Sequence, residues 1–386
     1  MRPVPPVPPA SAIERHRFEW HGSGRSYLDA QLRAIGAARR AVRMEMYIFS
    51  DTQIGTAFRD ALTQAARRGV AVQLLLDGVG SGLLGQSYFS ELTAAGGQVV
   101  WFNSVWLGKW TIRNHRKLLL VDETLAFVGG CNISDEYHGD GVSSGWRDGG
   151  VAVAGPVVNA LGREFEEQWQ RAERRQWQLV RGGYARTVGS RAEVLALFTK
   201  PGLGLSPLRA ALREDLRRAN DIAITSAYFL PTRRLRAQLL QAHRRGARLR
   251  LLLAAKSDVR LMLLATQSLY RGILRSGIEL FEYQPQVLHA KTMVLDDIVY
   301  VGSSNLDPRS LRINFEVMLR IKDAALAAEA RRQFETDLAH STRVTLADTA
   351  GFRSWLPRMK QRLAYFILAK LDPWVAREQL KTVKGR

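Results

Sequence analysis

Two short runs in this 386-residue chain carry the same chemistry. His115-Arg116-Lys117 is followed by four residues and Asp122, and His289-Ala290-Lys291 by four residues and Asp296. Each run opens an apolar stretch and leads into a turn of small residues ending in an asparagine. The first turn is Gly129-Gly130-Cys131-Asn132 and the second is Gly302-Ser303-Ser304-Asn305. A neutral imidazole attacks phosphorus or moves a proton near neutral pH. Ammonium and amide donors hold the non-bridging oxygens. Two histidines, two lysines and two asparagines therefore suit a phosphate group, in one site built from two related halves.

The elements that must position these groups repeat as well. Ala65 to Gly69 leads into the apolar run Val70 to Leu76, and Ala242 to Gly246 leads into Leu249 to Leu253. Both read as a helix with basic residues in its last turn, closed by glycine, entering a buried strand. Met44 to Phe49 matches Ile222 to Phe229, with Tyr47 and Tyr228 at equivalent places, and Gly97 to Phe102 matches Gly277 to Glu282. Strands alternating with helices imply α/β layers. The motif strands, Lys117 to Val121 and Lys291 to Leu295, are almost wholly apolar, as a sheet covered on both faces requires. Strand alternation puts each histidine and its lysine on one face. Asp122 and Asp296, five residues past their lysines, fall on the other face and read as strand-end residues. A lone histidine on a strand is ordinarily structural, but here that reading would have to hold twice.

Taken together, the motif and asparagine turn in two copies resemble the phospholipase D superfamily. The stretch Gly302 to Ser310 (GSSNLDPRS) is similar in detail to bacterial cardiolipin synthases. The lack of long apolar segments points to their short B-type. The resemblance runs from about Ser26 to about Lys322, with a basic aromatic tail. It implies an α/β fold of the duplicated phospholipase D type: two α-β-α lobes forming a pseudo-dimer around one shared site. The expected division is a Pro-rich segment over 1–20, lobes over 21–175 and 195–345, a connector over 176–194, and a tail over 346–386.

The activity implied is phosphatidyl transfer between two phosphatidylglycerol molecules, with release of glycerol, through a phosphatidyl-histidine. His115, Lys117, Asp122, Asn132, His289, Lys291, Asp296 and Asn305 are the motif residues that carry over. The family pattern makes His115 the nucleophile and His289 the acid and base, an order that the internal symmetry leaves open. It also names Asp148 (in Trp146-Arg147-Asp148) and Glu316 (in Asn314-Phe315-Glu316) as orienting carboxylates; the alternative is a pair of ordinary solvated acids. No cofactor and no metal is expected, because the lysines and asparagines supply the charge stabilisation. A hydrolytic phospholipase D, or a nuclease of the same superfamily, would use the same residues.

A net charge of +20 and a pI near 10.6 favour anionic partners, either nucleic acid or an anionic membrane. The resemblance favours phosphatidylglycerol and cardiolipin at a membrane surface over nucleic acid. One cysteine, Cys131, excludes an internal disulfide and reads as a small buried residue. The proline-rich start lacks the apolar core of a signal peptide, and no run approaches the roughly 18–20 apolar residues that span a bilayer. The expectation is a peripheral protein on the cytoplasmic face of the inner membrane. Gly80 to Gly85 fits the dinucleotide fingerprint G-x-G-x-x-G, but the acid about 20 residues on is missing. It reads instead as a flexible loop at the site mouth. Trp101, Phe102, Trp106 and Trp110, with Lys109 and Arg113, crowd the approach to His115. Phe352 to Val375 mixes aromatic and basic residues, as an interfacial helix does or as a helix capping the core does.

Overall fold

The computed structural model describes residues 15–103, 112–174, 184–188, 193–201, 206–349 and 355–371. The Pro-rich start up to residue 14, Trp106, Lys109, Trp110, most of the connector, Phe352 and Trp374 lie outside the described residues.

The first lobe builds a seven-stranded sheet. Its strands are β1 (Arg17–His21), β2 (Ala41–Met46), β3 (Ala71–Asp77), β4 (Gln98–Phe102), β5 (Lys117–Val121), β6 (Leu125–Gly129) and β7 (Gly150–Ala154). They lie in the order β1-β7-β6-β5-β2-β3-β4. The second lobe has β8 (Tyr184–Val188), β9 (Val194–Thr199), β10 (Asp221–Ser226), β11 (Arg248–Ala254), β12 (Glu279–Tyr283), β13 (Lys291–Leu295), β14 (Ile298–Gly302), β15 (Glu316–Lys322) and β16 (Ser341–Arg343). Their order is β16-β12-β11-β10-β13-β14-β15-β9-β8. Removing the outer strands β16 and β8 leaves the order of the first sheet, with β9 standing where β1 stands. In both lobes the βαβ strands pair in parallel, and the motif strand joins them antiparallel. β8 falls inside the stretch expected to be a plain connector, so part of that stretch extends the second sheet.

The repeated helices form for the reasons their sequences state. Thr52 caps α2 (Gln53–Arg67) by accepting from Gly55 N, and Ile54, Phe58, Leu62 and Ala65 line its buried face. Thr232 caps α6 (Arg233–Arg244) through Leu235 N in the same way. Both helices are left through a glycine at positive φ, Gly69 at 87° and Gly246 at 102°.

Three apolar cores stack through the molecule. The outer core of the first lobe packs helices, α2 among them, on one face of the first sheet. The outer core of the second lobe does the same with α6 and with the helices Arg260–Arg275 and Trp355–Phe366. Between the sheets lie the helices Val157–Glu173 and Ala324–Ala339, buried with strand residues of both lobes. Ion pairs reinforce this seam. Arg116 reaches Glu164 at 2.7 Å, Lys200 of the second lobe reaches the same carboxylate at 3.0 Å, and Arg147 reaches Asp337 at 2.7 Å. All five side chains are buried, where each ion depends on its partner.

The tail helix serves partly as a core cap. Gln361 and Ala364 are buried with Tyr365 and Leu368 against the outer core, whereas Met359, Leu363 and Phe366 face solvent. Trp101 and Phe102, expected at the site approach, pack inward instead. Trp101 lies against the first outer core, and Phe102 meets Phe315 edge-on at 5.3 Å. Cys131 is buried, as read.

Candidate active site

The site is assembled by two short backbone exchanges between lobes. His115 N donates to Phe315 O at 3.0 Å, and Phe315 N donates to Arg113 O at 2.9 Å. On the other side, Arg147 N donates to Val287 O at 2.8 Å, and His289 N and Ala290 N donate to Arg147 O at 2.9 and 3.0 Å. Each bridge sets the chain before one histidine beside the chain before the other lobe's carboxylate. The acids are therefore crossed. His115 Nδ1 meets Glu316 Oε2 at 3.1 Å, and His289 Nδ1 meets Asp148 Oδ2 at 2.6 Å.

Each carboxylate is held in turn. Ser303 Oγ donates to Glu316 Oε2 and Asn314 Nδ2 donates to Oε1, while Gly149 N donates to Asp148 Oδ1 at 2.8 Å. The two turns differ for a steric reason. Asp148 fills the space above Gly130, where an added Cβ would stand 2.4 Å from Oδ1. Ser303, at the equivalent place, instead supplies a hydroxyl to the longer glutamate. A carboxylate on Nδ1 fixes the proton there and leaves Nε2 as the reactive nitrogen of each ring.

Lys117 Nζ donates to His115 O at 2.9 Å and lies over the Tyr47 ring, 4.9 Å from its centre. Lys291 Nζ donates to His289 O and stands 2.7 Å from Nδ1 and 3.2 Å from Nε2 of that ring. Because Asp148 requires the proton on Nδ1, the lysine's proton belongs to the carbonyl. Burial governs the titration of all four groups. It drives His115 down to about 4 against the pull of Glu316, and Lys117 down to about 7. Burial and the Lys291 charge also lower His289, and burial lowers Lys291. His115 is thereby held neutral near pH 7, the form that a nucleophile requires, and a lowered His289 parts readily with a proton.

The two asparagines differ. Asn132 accepts from Ile48 N through Oδ1 and donates to the Tyr137 hydroxyl at 2.7 Å, so both its polar ends serve the protein. Asn305 is buried with Oδ1 lacking a hydrogen-bond partner. Tyr137 passes the first contact on, with its hydroxyl 3.4 Å from His289 Nε2.

Asp122 and Asp296 do not join this group. Each follows the far end of its motif strand, roughly 20 Å along the chain from the histidine. Asp122 accepts from Arg39 N, Arg40 N and Ala41 N; Asp296 accepts from Asn220 N and Asp221 N. Their φ angles of 52° and 49° turn the chain into the next strand. They are corrected here from catalytic candidates to structural anchors, as their strand alternation requires.

Several residues at the site carry no motif. Tyr47 packs its ring 4.7 Å from His115, while Tyr137, Trp146 and Tyr228 surround His289 at 5.1, 5.6 and 6.5 Å. Tyr47 and Tyr228, expected at equivalent places, stand one position out of register, since Met46 pairs with Lys117 and Ser226 with Lys291; Tyr137 and Trp146 carry no signal in the sequence. Asp77, buried and raised to about 6 by that burial, accepts from Asn114 N, Val79 N and Gly80 N. It thereby ties the Gly80 to Gly85 loop to the His115 segment. Ser81 adds a bond to Tyr47 O, so this loop is anchored at its base and exposes Leu83. Among the described residues, no group of three or more His, Cys, Asp or Glu could hold a metal ion.

Comparison with known proteins agrees with this geometry. The family model described as "Cardiolipin synthase, PLD-like domain" matches residues 32–169 and 212–338, one match per lobe. Cardiolipin synthase A of Pseudomonas fluorescens Pf-5 is 34% identical over 351 residues, covering 89% of this chain and 73% of that protein. Cardiolipin synthase A of Pseudomonas putida F1 is 33% identical over 374 residues, covering 95% and 78%. These relatives carry the A designation, whereas the sequence alone pointed to the B-type. The crystal structure of phosphatidylserine synthase from Haemophilus influenzae Rd KW20 shares the fold, with a TM-score of 0.70 at 15% identity over 93% of this chain and 94% of that one. Polyphosphate kinase from Porphyromonas gingivalis shares it at a TM-score of 0.58 and 13% identity, over 87% and 49%. With two matched lobes, both motifs intact and relatives aligned over most of its length, the chain belongs to the cardiolipin synthase family of the phospholipase D superfamily.

Proposed function

We propose that this chain joins two phosphatidylglycerol molecules into cardiolipin, with release of glycerol, through a phosphatidyl group carried on His115. The observation that supports it most is the pair of crossed dyads, which turns the Nε2 atoms of both imidazoles away from their carboxylates. In the first step His115 Nε2 attacks phosphorus and the bond to the head-group glycerol breaks. His289 acts in its doubly protonated form, with Nδ1–H held by Asp148, and gives the Nε2 proton to the departing oxygen. In the second step a hydroxyl of another phosphatidylglycerol gives its proton to His289 Nε2. Its oxygen attacks phosphorus, and the P–N bond breaks to free His115. Lys117 and Lys291 offset the charge on the non-bridging oxygens.

The asymmetry of the two rings supports this order of roles. No described residue bonds His115 Nε2, and that side chain keeps 13% of its surface exposed. His289 Nε2 faces the Tyr137 hydroxyl instead, a setting suited to a proton carrier.

No described helix is long and apolar enough to cross a membrane. The lipid is reached from the surface in this reading, at the cytoplasmic face, where anionic head groups attract a chain of net charge +20. The outer face of the tail helix, with Leu363 and Phe366 beside Lys360 and Arg362, supports such docking. Replacing Leu363 and Phe366 together by serine should weaken binding to anionic vesicles. Unchanged sedimentation with vesicles would remove the helix from this part of the reading.

Purified protein given phosphatidylglycerol vesicles tests the function. Cardiolipin and glycerol should appear in equal amounts. Phosphatidic acid as sole product would make the chain a hydrolase, and cleavage of single-stranded DNA with no lipid product would make it a nuclease.

A further inference from the structure

In-line displacement puts the alcohol, leaving or entering, on the side of phosphorus opposite the nucleophile. With His115 attacking, that is the side of His289. On the side of His115, Arg113 and Arg309 act on the Tyr47 hydroxyl together with the carboxylates Asp77 and Glu316. Tyr228, one register position beyond the place of Tyr47, stands beside His289, and it carries a carboxylate. Its hydroxyl donates to Asp258, 2.7 Å from each oxygen, while its ring stands edge-on to His289.

Asp258 is exposed, on the loop that follows β11. Through Tyr228 it stands on the His289 half of the site, and its charge acts on His289, Lys291 and Tyr137. Ser257 Oγ adds one long contact at 3.3 Å. An ionised carboxylate offers about four acceptor positions, so Asp258 has capacity beyond these two donors. The matching place in the first half, four residues past the end of β3, is Ser81, and its hydroxyl is turned inward to Tyr47 O. An exposed carboxylate at this loop position is thus a feature of the second half alone.

We propose that Asp258, oriented by Tyr228, is the subsite that reads the alcohol as a neutral polyol. It accepts a hydrogen bond from a glycerol hydroxyl that does not react, on the leaving head group in the first step and on the acceptor's head group in the second. A carboxylate there favours hydroxyl donors and repels an anionic group placed directly against it. This inference rests on the reading of His115 as nucleophile and of a glycerol head group as the alcohol.

The test compares the full-length protein with Asp258→Asn on two donors, phosphatidylglycerol and phosphatidylethanol. The second has no spare hydroxyl. Alcohol release is measured as kcat/KM on each. The ratio of the two should fall roughly 10- to 100-fold in the variant, the weight of one hydrogen bond to a charged group. Tyr228→Phe should lower the ratio in the same direction by less. Because a ratio is independent of the active fraction, partial unfolding does not mimic the result. An unchanged ratio, whether both rates fall together or neither moves, overturns the proposal. Release of alcohol is read whether or not cardiolipin forms, so failure of the synthase reading appears separately, as a wild type that liberates glycerol without making cardiolipin.

Discussion

Asp148 of the first lobe holds His289 of the second, Oδ2 to Nδ1 at 2.6 Å, across 141 residues of chain. Glu316 returns the relation to His115 across 201 residues. Neither lobe therefore contains a complete histidine–carboxylate dyad. Asp148→Asn and Glu316→Gln should each lower kcat by roughly 10²–10⁴-fold while leaving the fold intact, as loss of an orienting carboxylate does in other dyads and triads. Steady-state kinetics with circular dichroism as a folding control reads this. A loss below threefold at Asp148 would mean that His289 does not depend on the contact.

Gly130 gives Asp148 its room. Gly130→Ala should push the carboxylate off His289 and cut activity about as far as Asp148→Asn, because the new Cβ would meet Oδ1 at 2.4 Å. Ser303→Gly, the reverse change in the other turn, removes one hydrogen bond to Glu316 and should cost far less, about tenfold. Equal losses at the two positions would contradict the steric argument.

Much of this was legible beforehand, and the reasons are physical. A motif repeated with its helix and strand context identifies both histidine strands, and alternation alone separates the lysines from the motif aspartates. Asp148 and Glu316 came from family resemblance, since spacing along the chain carries no trace of contacts made between lobes. The crossing itself was invisible for that reason. The aromatic wall was hardly visible: Tyr47 and Tyr228 stand one position out of register with each other, and Tyr137 corresponds to Ser310 and so leaves no internal echo. Trp101 and Phe102 misled because an aromatic run reads alike whether it packs inward or faces a ligand.

The motif aspartates offer a separate check. Asp122→Ala removes the acceptor of three backbone N–H groups at a turn of positive φ. It should lower stability by about 2–3 kcal/mol while the folded fraction keeps its kcat within a few-fold. Denaturant titration with activity per folded molecule distinguishes the effects. A loss of kcat comparable to that of Lys117→Ala in fully folded protein would restore Asp122 to the chemistry.

The pH profile follows from the buried groups. His115 must be neutral to attack, and its pKa sits at about 4, so activity should fall as pH drops through that value. Lys117 must be charged to hold phosphate, and at about 7 it loses its proton as pH rises. The rate on a soluble short-chain phosphodiester should therefore decline above neutrality. Lys117→Arg keeps its charge throughout and should move the alkaline limb upward even if the maximum is lower. A limb that stays in place would mean that Lys117 does not set it.

The most direct measurement is to quench the enzyme during turnover of phosphatidylglycerol and map the covalent phosphatidyl adduct by mass spectrometry. The account predicts a phosphoramidate on His115. The adduct should be absent from His115→Ala, and in His289→Ala it should form slowly and persist because its proton carrier is gone. An adduct on His289 that survives His115→Ala would contradict the assignment of roles. Cardiolipin formed at the full rate with no adduct on either histidine would contradict the mechanism itself.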